Sequence, residues 1–150
     1  SEKTRKDGAR ALVQKGDILI TSTGEGTIGR IDVWQYDDIA LADSHVSICR
    51  LKPEHNLYYI VEFLKSEYGQ IQLLRHISGS TGQTELLIDH IKGLQIPLPE
   101  SGIQEKIVES LRTAKDKAAE LVENASKLRG DSASVIATAR QQMLKTIGSK

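Results

Sequence analysis

Three glycines between positions 24 and 29 have a spacing that matches a known binding chemistry. Gly24, Gly26 and Gly29 fit the pattern G-x-G-x-x-G, which in dinucleotide-binding proteins brings a pyrophosphate to the N-terminus of the helix that follows. Here the next residues, Arg30 to Trp34, have the composition of a strand. We therefore expect a β-turn shaped by glycines, and a nucleotide-binding enzyme that uses this turn is kept as an alternative.

A second glycine-bearing segment covers residues 78–83. No Gly-Lys-Ser/Thr sequence ends it, so it is not a P-loop. Its hydroxyl and amide side chains could instead contact phosphates or base edges, and the alternative is a solvated loop. These side chains belong to Ser78, Ser80, Thr81 and Gln83.

Residues that could catalyse a reaction do not form a recognisable set. The four histidines show no metal-ligand spacing. The D/E-x-K tripeptide of many nucleases and the Asp/Asn-Pro-Pro-aromatic motif of adenine methylation are both absent from the sequence. Cys49 is the only cysteine, so a disulfide framework within the chain is excluded and a reducing cytoplasm is expected. We expect no metal site and no catalytic residues.

Charge is balanced over the chain, with 20 Lys and Arg against 20 Asp and Glu. This balance is unusual for a nucleic-acid-binding protein, because affinity for DNA comes largely from cations that replace counterions on phosphates. The N-terminal 15 residues are the exception, since they carry five positive charges, Arg5, Lys6 and Arg10 among them.

No apolar run reaches 18 residues, which argues against a membrane helix. The lack of an initiator Met suggests an excised piece.

The first two thirds of the chain predict a mixed α and β domain. Residues 17–51 alternate like strands punctuated by glycines. A single helix of about four turns is expected from an Asn56 N-cap to Ile71, with its aromatic side chains in the core. A short helix Glu85–Ile91, capped by Thr84, and an edge strand Leu94–Pro99 follow.

The last third predicts a long helix with a heptad seam. Ser101 and Gln104 have capping-box spacing. Apolar residues then recur at steps of three and four up to residue 128, a rod of roughly 40 Å. Gly130 is expected to end this helix, and Asp131 to cap a second, shorter one. The seam requires a partner helix, and the side chains expected to pair are Ile103, Ile107, Leu111, Leu121 and Leu128.

The order of several short motifs resembles one family, the specificity subunits of type I restriction–modification systems. Each motif alone is weak, and their order over residues 15–129 carries the resemblance. The matching segments are Lys15–Ile20, Gly26–Gly29, Asn56–Tyr59, His76–Gln83, Ile91–Pro99 and Ile103–Val108.

The resemblance implies a fold and a function. The fold class would be α+β, a target-recognition domain over residues 1–101 that lacks its opening strands, followed by a helical spacer over 102–150. It would read double-stranded DNA in the major groove without being an enzyme. Its helices would dock adenine methyltransferase subunits that bind S-adenosylmethionine, and restriction/translocase subunits would complete the complex.

DNA-contacting residues cannot be transferred from the family, because they vary with the target. We predict them from residue type and position as the basic N-terminal cations named above, Thr21 and Thr23 at a strand end, and the segment from Arg75 and His76 to Gln83. The alternative function is a protein–protein interaction module that oligomerises through its helices without reading DNA.

Overall fold

The computed structural model describes residues 11–76 and 85–147. Contacts divide the chain into two units, Ser1–Val108 and Glu109–Lys150. Among the described residues, the first unit contains the β-strands, three short helices and the start of a long helix, and the second unit contains the rest of that helix. Small antiparallel sheets with helices confirm the α+β class.

A three-stranded antiparallel sheet forms the centre of the first unit. Its strands are β2 (Ile18–Thr21), β3 (Ile31–Val33) and β5 (Val46–Cys49), in the order β3-β2-β5. A second sheet pairs β1 (Leu12–Val13) with β4 (Ala40–Leu41). The β structure predicted for residues 17–51 is therefore confirmed.

The glycines at positions 24–29 form the turn region between β2 and β3. Gly24, Gly26 and Gly29 all have positive φ, which only glycine adopts without strain. Strand β3 follows this turn region, and a helix N-terminus does not. The β-turn interpretation is confirmed, and the nucleotide-binding alternative loses the helix dipole that its mechanism requires.

The region from Asn56 to Ile71 forms two helices, and the prediction of a single helix is wrong. Helix α1 spans Leu57–Lys65 and α2 spans Glu67–Leu74. Asn56 caps α1 as expected, since its side chain accepts a bond from the Tyr59 N–H. Ser66 ends α1 and caps α2, and its hydroxyl donates to the Phe63 carbonyl at 2.6 Å. A serine side chain that competes for backbone groups in this way favours a helix boundary.

The core consists of apolar side chains from β2, β3, α1 and α2, together with Leu86. The fully buried members include Ile18, Ile20 and Leu73. Tyr59 is buried and Phe63 packs against the core, as expected. Tyr58 and Tyr68 are exposed, so the expectation that the aromatic residues pack in the core is wrong for these two.

The segment after α2 departs from two predictions. Helix α3 spans Ile88–Lys92, beginning later than predicted, and Gly93 ends it as expected. Thr84, the predicted cap, lies outside the described residues. The segment Leu94–Pro99 is not a strand, because side chains, and not a neighbouring strand, form hydrogen bonds with its backbone. Gln95 exchanges two hydrogen bonds with the Gln72 amide, at 2.8 and 3.0 Å.

Helix α4 spans Ser101–Ile147 without interruption. The long helix is confirmed, and the predicted break at Gly130 with a second helix after it is wrong. Gly130 does not have the positive φ of a C-terminal cap. A glycine inside a helix costs about 1 kcal/mol relative to alanine, and the helix-forming residues on both sides offset this cost. The predicted capping box is replaced by a bond from the Gln104 amide to the Pro99 carbonyl, at 2.6 Å.

Candidate functional site

The C-terminal end of β2 places two of the predicted DNA-contacting residues. The backbone of Thr21 is hydrogen-bonded to Arg30 and Gly29. Its hydroxyl has no hydrogen-bond partner among the described residues. The Thr23 hydroxyl is hydrogen-bonded to Nδ1 of His45. Thr23 is also bridged to Glu85. Thr23 and His45 therefore act as one polar group at the surface.

The chain returns to this end of β2 after the segment 77–84. The Leu86 N–H donates to the Ser22 carbonyl at 2.8 Å, and Leu86 itself is buried in the core. Residues on the C-terminal side of that segment are thus held against β2. The fold brings the strand end and the residues that directly follow the second predicted segment to the same region.

Arg75 and His76 lie at the C-terminal end of α2, on the other side of the segment 77–84. The imidazole of His76 stacks on that of His90, with ring centroids 4.3 Å apart and ring planes 10° from parallel. His90 in turn accepts a bond from the Leu87 N–H. This stack joins α2 to α3, so it links residue 76 to the chain that returns to β2.

Seven of the predicted DNA-contacting residues cannot be placed. They belong to the N-terminal ten residues and to the segment 77–84, which lie outside the described part of the chain. The predictions for them stay open. These residues are Arg5, Lys6, Arg10, Ser78, Ser80, Thr81 and Gln83.

A groove of about 800 Å³ lies beside the predicted Thr21. Its polar lining includes side chains that the sequence-based prediction missed. These are Arg30 directly before β3, Asp32 within β3, Lys65 at the end of α1 and Gln70 in α2. Arg30 could have been predicted as a site residue, because it directly follows the glycine turn. No pattern in the sequence joins Lys65 and Gln70 to that turn.

A second cavity, of about 460 Å³, lies next to β5 and is acidic. Asp43 and Glu85 line it, and no Lys or Arg does among the described residues. An anionic ligand such as a phosphate is favoured in the first groove and disfavoured here.

Metal chemistry has no visible site in the described ranges 11–76 and 85–147. Within them no group of three or more His, Cys, Asp or Glu side chains is arranged to hold an ion.

Cys49 is half-buried at the end of β5. Burial and the charge of Asp17 both raise the pKa of its thiol, so the thiolate is disfavoured. The helices described here also include none that is long and apolar enough to cross a bilayer.

The predicted helix-pairing residues are exposed along α4. Leu111, Leu121 and Leu128 belong to the second unit and are 37, 59 and 69 % exposed. Ile103 and Ile107 belong to the first unit and are also exposed, whereas Val108 packs against the core. In this single chain the seam has no partner among the described residues.

Comparison with models of known protein families identifies a family for this chain. A family model described as the type I restriction modification DNA specificity domain matches residues 2–127. A search of curated proteins finds no match to the chain.

Proposed function

Because the chain belongs to the family of type I restriction modification DNA specificity domains, we propose that it reads a specific sequence in double-stranded DNA. The family match over residues 2–127 is the observation that carries this proposal. In it the chain supplies recognition and no catalytic step.

The arrangement around the end of β2 supports a recognition surface. The Thr21 hydroxyl and the hydrogen-bonded pair of Thr23 and His45 lie at the end of β2, and Arg30 lines a groove with Thr21. Such groups can donate to and accept from base edges in the major groove, where each base pair shows a distinct pattern. Cations nearby would hold the duplex by its phosphates.

Helix α4 supports the second part of the proposal, which is docking to adenine methyltransferase subunits. A helix of 47 residues with an exposed apolar seam requires partners, because such a seam is stabilised only when another helix covers it. We propose that the methyltransferase subunits carry S-adenosylmethionine, and that restriction/translocase subunits join the same complex.

Selection from a random duplex library tests the recognition proposal. The full chain is incubated with the library, with and without a type I adenine methyltransferase subunit, and retained duplexes are sequenced. We expect one motif of a few base pairs, with binding that falls steeply between about 50 and 200 mM salt. If neither sample retains DNA at about 50 mM salt, the proposal is wrong.

An interaction module that only oligomerises is the second candidate, and the exposed seam of α4 is the observation that favours it. It predicts self-association with no DNA selected from the library. Light scattering of the full chain, measured with and without a selected duplex, separates the two functions. A complex that contains DNA excludes the oligomerising module.

A further inference from the structure

The groove beside β2 combines two cations that lie far apart in the sequence. Alternation along β2 puts Ile18 and Ile20 in the core and turns Leu19 and Thr21 away from it. Leu19 and Thr21 line the groove, and its charged lining consists of Arg30, Lys65 and Asp32.

Arg30 is the better placed of the two cations for binding an anion. Its side chain is exposed, and its Nη2 donates one hydrogen bond to the Gly26 carbonyl at 3.2 Å. No carboxylate pairs with it among the described residues. A guanidinium has five N–H donors, so most of its donors remain available in the groove.

Lys65 adds a second positive charge that is only partly neutralised. Its Nζ lies 3.4 Å from Oδ1 of Asp32, whose carboxylate is 80 % exposed and also accepts a bond from the Val33 N–H. An exposed ion pair at this distance is weak. The groove therefore carries a net positive charge, in contrast to the acidic cavity beside β5.

Gln70 fixes the turn that carries Arg30. Its Nε2 donates to the Gly29 carbonyl at 3.3 Å and to the Leu64 carbonyl at 3.0 Å. One side chain thus ties the turn between β2 and β3 to the end of α1. A cation held on a fixed turn loses less conformational entropy when it binds than one on a mobile loop.

We infer that Arg30, with Lys65 as a second contact, binds the phosphate backbone of DNA and does not read a base. This inference rests on the proposed function. Reading guanine requires two parallel bonds from the planar fork of an arginine, and the bond from Nη2 to the Gly26 carbonyl already occupies one donor of the Arg30 fork. A phosphate accepts bonds from any remaining N–H, and it also binds lysine, which acts as a point charge.

The experiment compares three variants of the full chain with the wild type. R30Q removes the cation, R30K keeps the charge without the fork, and K52Q is the matched control. Lys52 is an exposed cation that does not line the groove and has no ion pair among the described residues. Affinity for a selected duplex and for a scrambled duplex is measured by fluorescence anisotropy over a range of salt concentrations. Circular dichroism melting checks that each variant is folded.

We expect R30Q to weaken binding to both duplexes alike, by roughly 5- to 10-fold at about 0.1 M salt. The slope of log affinity against log salt should also fall by about one. R30K should keep most of the affinity and slope, and K52Q should match the wild type.

Two outcomes overturn the inference while DNA recognition stands. An R30Q protein that binds like K52Q shows that the groove does not meet DNA. An R30Q protein that loses affinity for the selected duplex but not for the scrambled one shows that Arg30 reads a base. If the wild type binds no duplex at all, the proposed function itself has failed.

Discussion

Asp17 and Arg50 form a bidentate ion pair that links the start of β2 to the residue after β5. Arg50 donates from Nε to Oδ1 at 2.8 Å and from Nη2 to Oδ2 at 2.7 Å. The Asp17 side chain is 1 % exposed, and it also accepts a bond from the Gln14 N–H at 2.7 Å. A buried carboxylate with three donors is expected to stabilise the sheet through its hydrogen bonds, because charge-assisted bonds are the strong ones.

Replacing Asp17 with asparagine should destabilise the first unit. D17N keeps the shape of the side chain and removes its charge. Arg50 is 53 % exposed, so water screens part of the interaction, and we expect a loss of about 1–2 kcal/mol in the free energy of unfolding. Urea denaturation measures it. D37N is the matched control, because Asp37 pairs with Lys15 at the surface and should change stability by less than about 0.5 kcal/mol. Equal effects of the two substitutions would contradict the argument.

The same carboxylate should make stability depend on pH. Burial alone raises the pKa of Asp17, but the hydrogen bonds from Arg50 and Gln14 and the charge of Arg50 together lower it below its ordinary value. A lowered folded-state pKa means that the stabilisation is complete above the unfolded pKa, about 3.9, and is lost as pH falls through the folded value. The stability difference between wild type and D17N should therefore shrink below about pH 4. A difference that stays constant in urea titrations down to about pH 3 would contradict this.

Gly69 should not tolerate alanine, although it lies inside helix α2. A Cβ there would lie 2.5 Å from backbone atoms of Leu64 and Phe63, so the two helices could not pack as they do. We expect G69A to lose about 1–3 kcal/mol by overpacking. Alanine normally stabilises a helix relative to glycine. A gain in the thermal melting temperature would show that α1 and α2 do not meet this closely.

Replacing Gly130 with alanine should stabilise its helix, whereas G69A should destabilise the protein. Gly130 lies within α4, and a Cβ there meets nothing within 4 Å. G130A should increase helicity and stabilise α4 by about 0.5–1 kcal/mol. Circular dichroism of the full chain measures the change. A loss of helicity would indicate that Gly130 caps a helix, as the sequence pattern suggested.

Leu121 tests whether the seam of α4 binds a partner helix. L121E should abolish self-association or methyltransferase binding, because it places a charge in the apolar contact. The first unit should stay folded. V122E is the matched control, since Val122 is an equally apolar residue of the same helix, 71 % exposed and outside the heptad steps. Light scattering and pull-down with the methyltransferase subunit compare the two. Equal behaviour of L121E and V122E would contradict pairing through the predicted seam.

Asp32 should oppose DNA binding at the groove. D32N removes the carboxylate beside Lys65 and keeps an acceptor for the Val33 N–H. If Arg30 and Lys65 contact phosphates, D32N should raise affinity for any duplex severalfold and steepen its salt dependence. Anisotropy titrations, with D37N as a control of the same charge change at another surface site, measure this. Unchanged affinity would indicate that Asp32 does not lie near a phosphate.

Local patterns in the sequence predicted those elements that short-range physics decides. Asn56 could be identified as a cap because an asparagine before an apolar helical repeat has one favourable use. The strands around Ile18 and Val46 followed from alternation, and the turn at Gly24–Gly29 from glycine spacing. The heptad steps predicted the long helix. The break at Ser66 was not predicted, because the apolar steps continue across it.

Tertiary contacts decided the rest. The segment Leu94–Pro99 has the composition of an edge strand, yet the Gln72 side chain takes the backbone bonds that a neighbouring strand would have provided. Gly130 is an exception, because it remains helical with no left-handed cap, and helix-forming neighbours, not tertiary contacts, offset the cost of the glycine.

The sequence by itself determined the fold class, the family and the helical seam, since each depends on residue order and periodicity along one stretch of chain. Only the tertiary structure brought Arg30 and Lys65 into one groove with Thr21, and only it joined Asp17 to Arg50. Arg30 and Lys65 are 35 residues apart in the sequence, and Asp17 and Arg50 are 33 residues apart. Their proximity follows from how the strands pair and the helices pack, which no local pattern encodes.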